Sequence, residues 1–220
     1  MKASILIPAF NAGNTLQATL ESCVDQGARV VEEIIVVDDH STDDTQDVFE
    51  AFQRNHPDFN LLWATNPKKG ACSARNHALS ISTGECIQWL DSDDLLGTNK
   101  ILNALKSLED NPDQLVACPW RPFINELKTG LLPDFVDWVT IPDFSTPADW
   151  IARDTYMGLH CYFGHRNLFE QAGPWDESLA INQDGEYLTR VVAGSSGVLF
   201  TKESEVYYRR SSSNSSAGSL

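Results

Sequence analysis

Basic residues are scarce in this 220-residue chain: 16 Lys and Arg stand against 31 Asp and Glu, a formal charge of −15. A field of that sign repels nucleic-acid backbones and anionic lipid surfaces, which excludes nucleic acid as an expected partner. A small diphosphate stays open, because a divalent cation held by carboxylates inverts the local charge balance. Long apolar runs are also missing. The run at residues 4–7 meets Pro8 and then Asn11, too soon for a signal-peptide core, and nothing else approaches membrane length. Cysteine is limited to five residues with no CxxC pair, and an odd number cannot be fully paired within one chain. A reducing compartment follows, so the cytoplasm is the expected location, with peripheral attachment to the inner face of a membrane left open.

What is present is a globular composition, 42% hydrophobic and 21% charged, with length for one domain of ordinary size. Over residues 3–119, apolar runs of strand length alternate with segments of helical period, the pattern of βαβ units in a mostly parallel, Rossmann-like sheet covered on both faces. Strands are expected at 3–8, 33–38, 60–64, 85–90 and 115–119, each near-continuously apolar as central parallel strands require. Four crossover helices present Leu16, Leu20 and Cys23; Val48, Phe49 and Phe52; Ala74 and Ala78; and Ile101, Leu105 and Leu108. Asn11 and Ser41-Thr42 stand where helix N-caps are expected. After Pro119 the texture changes to irregular or antiparallel structure, with prolines punctuating an aromatic stretch containing Phe123, Phe135, Trp138, Phe144 and Trp150. A helix is expected over 183–193 and a strand over 198–201. The last ten residues include six serines and are expected to be mobile.

Two aspartate clusters fall at the C-terminal ends of predicted parallel strands, Asp38-Asp39 and Asp91-Ser92-Asp93-Asp94. That edge of an open α/β sheet is where ligands bind. Asp43, Asp44 and Asp94 read individually as turn formers or N-caps. Asp91 and Asp93, as alternate residues of an extended segment, point the same way and can converge on one hard cation. His160 and His165, placed on a strand, read as core or surface residues rather than ligands. Trp138 and Trp150 could stack on a sugar or simply pack.

The succession Ile7-Pro8-Ala9-Phe10-Asn11, Val36-Val37-Asp38-Asp39-His40-Ser41-Thr42-Asp43, Ala74-Arg75-Asn76 and Leu90-Asp91-Ser92-Asp93-Asp94 resembles the family 2 glycosyltransferases of the GT-A fold. Four blocks in the family's order and spacing are far more specific than any one of them. The resemblance implies an inverting enzyme that moves a sugar from a nucleoside diphosphate, UDP favoured, to a hydroxyl of a saccharide or lipid-linked acceptor. It implies one domain over 1–210, with a nucleotide-binding half to residue 119 and a smaller, mixed acceptor-binding half over 120–210, ahead of the serine-rich tail at 211–220. A homodimer is compatible with it.

By the same resemblance, Pro8, Phe10 and Asn11 lie at the nucleotide, Asp39 accepts hydrogen bonds from the base, Asp38 supports it and Arg75 helps close the pocket. Lys68, Lys69 and Gly70 form an approach to that pocket, unless the lysines are merely solvated. Asp91 contacts the ribose or donor sugar, and Asp93 binds the Mn2+ or Mg2+ that bridges the diphosphate. Asp184 matches the family's general base, with Gln183 in place of the usual glutamate before it; its structural alternative is an N-cap. Trp175, Asp176 and Gln183 border the donor sugar or acceptor. Arg209 or Arg210 could contact the diphosphate, in a closing segment that lacks a histidine often found there. Two rivals remain: a nucleotidyltransferase, for which residues 8–14 make a poor phosphate loop, and a non-catalytic sugar- or nucleotide-binding module.

Overall fold

The computed structural model describes residues 1–133, 137–153 and 157–210. The first half runs β1 (Ala3–Ala9), α1 (Leu16–Val24), β2 (Val31–Asp38), α2 (Thr45–Asn55), β3 (Leu61–Thr65), α3 (Ala71–Ile81) and β4 (Cys86–Trp89). There follow β5 (Leu95–Leu96), α4 (Lys100–Leu108), β6 (Leu115–Ala117), β7 (Trp120–Phe123), α5 (Leu127–Gly130), β8 (Phe144–Ser145) and α6 (Pro147–Ala152). The chain closes with β9 (Tyr162–His165), α7 (Arg166–Gln171), α8 (Gln183–Gly194), β10 (Val198–Phe200) and β11 (Val206–Arg209).

Eight strands form one sheet in the order β3-β2-β1-β4-β9-β6-β10-β8. Strands β3, β2, β1 and β4 pair in parallel, as do β6 and β10. Residues 4–7 of β1 are all fully buried, so both faces of the central strand are covered, as the unbroken apolar run requires. Helix α3 packs along β1 and β2, while α4 and α7 pack on β9.

The fifth expected strand, β6, does not neighbour β4. Strand β9 lies between them, antiparallel to both, so the C-terminal half contributes to the same sheet as the first. A strand of four residues leaves too short an alternation to reveal its pairing. A second sheet, β5-β11-β7, brings β11 antiparallel to β5, just past the second aspartate cluster.

Three local expectations are corrected. Asn11 is not an N-cap: α1 starts after Thr15, and Asn11 takes a left-handed φ of 49° in the turn that leaves β1. Ser41 and Thr42 likewise precede α2 by several residues, and Asp44 holds its N-cap position. His160 lies in a short 3-10 helix (Leu159–Cys161), with only His165 on β9. Phe135 and the tail at 211–220 fall outside the described residues.

Candidate functional site

Because β1 sits between β2 and β4, the turn after β1 is flanked by both aspartate clusters. The first flank is stitched by side chains acting on turn backbone. Ser41 Oγ accepts from Asn11 N at 2.8 Å, and Asn11 Oδ1 accepts from Thr42 N at 2.8 Å. Asp38 accepts from Ser41 N through both oxygens at 3.2 Å. Asp39, buried, accepts from Asn66 Nδ2 at 2.7 Å and from Gly70 N at 2.8 and 3.0 Å. Gly70 reaches that position with a φ of 136°, which a side chain would strain. Asp39 thus anchors the 66–70 loop as well as facing the cleft. The loop's lysines are not idle: Lys68 pairs with Glu177 at 2.5 Å, and Lys69 Nζ stands 5.2 Å over the half-exposed Phe10 ring.

Pro8, Phe10, Asn11, Asp39, Arg75, Asp91, Asp93 and Tyr208 line one cleft of about 450 Å3. Residues 91–94 form a turn, with Asp94 N donating to Asp91 O at 3.1 Å, rather than the extended segment expected. The two carboxylates accordingly diverge in role. Asp91 pairs with Arg75 at 3.0 Å, whereas Asp93 is exposed at the cleft mouth. Crowding by surrounding protein, then the charges of Asp94 and Asp91, push the Asp93 carboxyl up to about 7, an effect tempered by the open water on its outer side. Among the described residues no three His, Cys, Asp or Glu side chains gather as a ready metal cage.

Asp94 is corrected from turn former to buried anchor. It is fully buried 3.0 Å from His160 Nδ1, and its Oδ1 accepts from Arg209 N at 2.8 Å. Burial opposes the charge on His160, but adjacent Asp94 outweighs it and lifts the imidazole well above its ordinary value. Tyr208 stacks on the His160 ring, and Arg209 Nε donates to Asp93 O at 2.8 Å, so β11 straps the aspartate turn. Arg209 is committed to backbone carbonyls of Asp93 and Asn125 and to the Phe123 ring.

Arg75 joins the two halves of the chain. Its buried guanidinium lies 3.0 Å from Asp91, 3.7 Å from Asp184 and 3.3 Å from Gln183 Oε1, over the Trp175 ring. Burial works against its charge, but Asp91 and Asp184 outweigh burial and keep it protonated. Asp184 is the second residue of α8, in the first turn where a helix N-terminus favours an anion; the N-cap position belongs to Asn182. Burial raises the Asp184 carboxyl above the usual carboxylate range, and Arg75 partly offsets this.

Trp175 is 2% exposed, stacked on Tyr187 at 4.0 Å and edge-on to Trp89, so its faces are occupied by protein. Asp176 is turned outward, accepting from Ser178 N and Oγ, which holds its carboxyl below the ordinary value. Beyond Asp184 opens a second cavity of about 670 Å3, lined by Trp150, Arg153, Tyr162, Ile181, Gln183 and Leu188 among others. Trp150 donates to Tyr162 Oη at 3.0 Å and packs on Phe200, while Trp138 packs between Trp120 and Phe200.

Sequence reasoning missed Asn66, Tyr208 and the His160–Asp94 pair. Asn66 follows a strand end just as Asp39 does, a signal that could have found it. The other two depend on contacts between distant segments.

Set beside known proteins, residues 4–173 match the family described as glycosyl transferase family 2. Over 106 residues the chain is 42% identical to the UDP-Glc:alpha-D-GlcNAc-diphosphoundecaprenol beta-1,3-glucosyltransferase WfaP of Escherichia coli, covering 48% of this chain and 41% of that protein. The structure of S. aureus TarS 1-349 in complex with UDP-GlcNAc superposes with a TM-score of 0.73 at 20% identity, covering 100% of this chain and 62% of that one. GalNAc-T7 with UDP, GalNAc and Mn2+ superposes with a TM-score of 0.74 at 18% identity, covering 96% of this chain and 44% of that one. The chain thus spans only part of the length of the proteins it resembles.

Proposed function

The chain belongs to glycosyl transferase family 2, and from that premise we propose that it transfers a sugar from a UDP-sugar, with inversion, to a hydroxyl of a saccharide or lipid-linked acceptor. One observation carries this reading. Asp184 lines the larger cavity while lying 3.7 Å from Arg75, which lines the cleft between the aspartate clusters. A base so placed can serve an acceptor on one side and a donor on the other.

In this reading the uracil enters beside Phe10 and Asn11, with Asp39 accepting from the base and held in orientation by Asn66 and Gly70. Asp91, turned by Arg75, meets the ribose or donor sugar. The acceptor hydroxyl attacks the anomeric carbon from the Asp184 side, its proton passes to the carboxylate, and the bond from that carbon to the diphosphate oxygen breaks. Burial strengthens Asp184 as a base by raising its carboxyl, and Arg75 partly offsets that lift.

The donor set suits one hard divalent cation: Asp93 is open at the cleft mouth and crowded by like charge, which a cation would relieve. Asp93 would be its protein ligand, with phosphate oxygens and water completing the shell, as magnesium-type sites use. When bound, such a cation supplies charge neutralisation to the leaving diphosphate. The site is read as cytoplasmic; all five cysteines are free and buried, which suits a reducing compartment.

Calorimetric titration of UDP, GDP and dTDP, with and without manganese, tests the donor site without an acceptor. Manganese-dependent binding of UDP, lost in Asp93→Ala with the fold intact, is the expected result. Absence of binding by all three nucleotides, or unchanged affinity in Asp93→Ala, would overturn the donor or the metal assignment respectively.

A further inference from the structure

Several cations in this acidic protein are already matched by carboxylates. Lys2, Lys68, Arg75, Arg166, Arg190 and Lys202 each lie within 4.0 Å of a carboxylate. Arg153 differs. It lines the 670 Å3 cavity that holds Asp184, and among the described residues its side chain forms no ion pair or hydrogen bond, its Nε being shut away from solvent without a partner. A guanidinium is a rigid fork of five donors suited to carboxylate or phosphate oxygens, and leaving it unmatched in a semi-enclosed site is costly.

The surroundings narrow the anion. Arg153 also borders a shallower depression lined by Pro142, Phe144, Thr146 and Asp149 among others, and so stands on the ridge between the two. Around both lie apolar side chains open to solvent: Phe144 is 45% exposed, Ile151 47% and Ile181 82%. A cation at the rim of a cavity of mixed lining that holds Asp184, with exposed apolar side chains at Ile151 and Phe144 beside it, fits a molecule with three matching parts. That molecule has a sugar at one end, an acidic link in the middle and a hydrocarbon beyond.

We propose that Arg153 is a specificity-determining residue for the acceptor: it binds the phosphate or diphosphate that joins the acceptor sugar to an apolar chain. The proposal rests on the reading of the Asp184 cavity as the acceptor side. The sugar hydroxyl reaches Asp184, the phosphate oxygens take the Arg153 fork, and the hydrocarbon leaves over Ile151 and Phe144. The overall charge of −15 makes this pairing selective, because an anionic acceptor gains nothing from the rest of the surface.

The test uses the chain saturated with UDP and manganese, titrated calorimetrically with three octyl probes: octyl-diphosphate-linked N-acetylglucosamine, neutral octyl N-acetylglucosaminide and octyl glucuronide. The diphosphate probe is expected to bind about 10- to 100-fold more tightly than the neutral one, the span of a charge-assisted hydrogen bond. Arg153→Gln should remove that difference, Arg153→Lys should restore part of it, and UDP affinity should stay the same in both. Equal binding of charged and neutral probes, or a preference that survives Arg153→Gln, overturns the proposal. Glucuronide binding as tight as the diphosphate overturns the phosphate assignment in favour of an acidic sugar. Transfer to the diphosphate probe that persists in Asp184→Asn would sink the reading of the cavity, whereas the binding data judge Arg153 independently.

Discussion

At the scale of the residue, the site turns on how Arg75 shares its charge between Asp91 and Asp184. Asp184→Asn keeps the shape and the Arg75 neighbour but cannot take a proton. Turnover should fall by about 10²- to 10⁴-fold, the range of general-base catalysis, while calorimetric UDP affinity holds; full activity would remove Asp184 as the base. The pH profile follows from the same pair. A base must be ionised, and burial lifts the Asp184 carboxyl above the ordinary range, so kcat/KM falls as pH drops through a value above that of a free carboxylate. Arg75 opposes the lift, so Arg75→Gln should move the acid limb to higher pH. A limb that stays in place would show that Arg75 does not govern the base. That Asp39, Asp91 and Asp93 gather at one cleft was legible in the sequence, because each follows an apolar strand at the ligand-binding edge of the sheet; the structural work of Asp94 was not. Nor was the packing of Trp175: the sequence places it at the border of the donor sugar or acceptor, and only the structure shows Tyr187 and Arg75 against its ring.

At the scale of the element, β11 acts as a strap whose four residues fasten the aspartate turn to the smaller sheet. Its anchor is the buried His160–Asp94 pair, and removing one partner strands the other without water. Asp94→Ala should therefore destabilise the protein by about 3–5 kcal/mol, read from urea midpoints. The double variant Asp94→Ala/His160→Phe should recover part of that loss, so that it falls short of the two single losses added together. Strictly additive losses would mean that the pair is not a unit. The first-half elements β1 to β4 and α1 to α4 were readable from period alone, as was α8. Strands β5, β7 and β8 were not, because each is short and defined by its partner, and of the strand expected around His160 and His165 only the stretch ending at His165 forms, as β9. The antiparallel entry of β9 between β4 and β6 is a decision of tertiary packing, with no local trace in Tyr162–His165.

At the scale of the molecule, two fields of opposite sign compete for the donor. Close to the cleft stand Lys69, Arg75 and Arg209; around them is a chain of net charge −15. Distance decides between them, since the screening length shrinks from about 30 Å at 0.01 M salt to about 8 Å at 0.15 M. At the lower salt an approaching UDP feels the whole protein and is repelled; at the higher it feels mainly the cleft. Stopped-flow association of UDP should therefore quicken as salt rises between these limits, the reverse of an electrostatically steered anion site, with dissociation little changed. Manganese reduces the negative charge of the nucleotide, so the same salt series run with manganese should be flatter. If association without manganese slows as salt rises, the local cations dominate at every range, and the acidic surface is a matter of solubility rather than of donor capture.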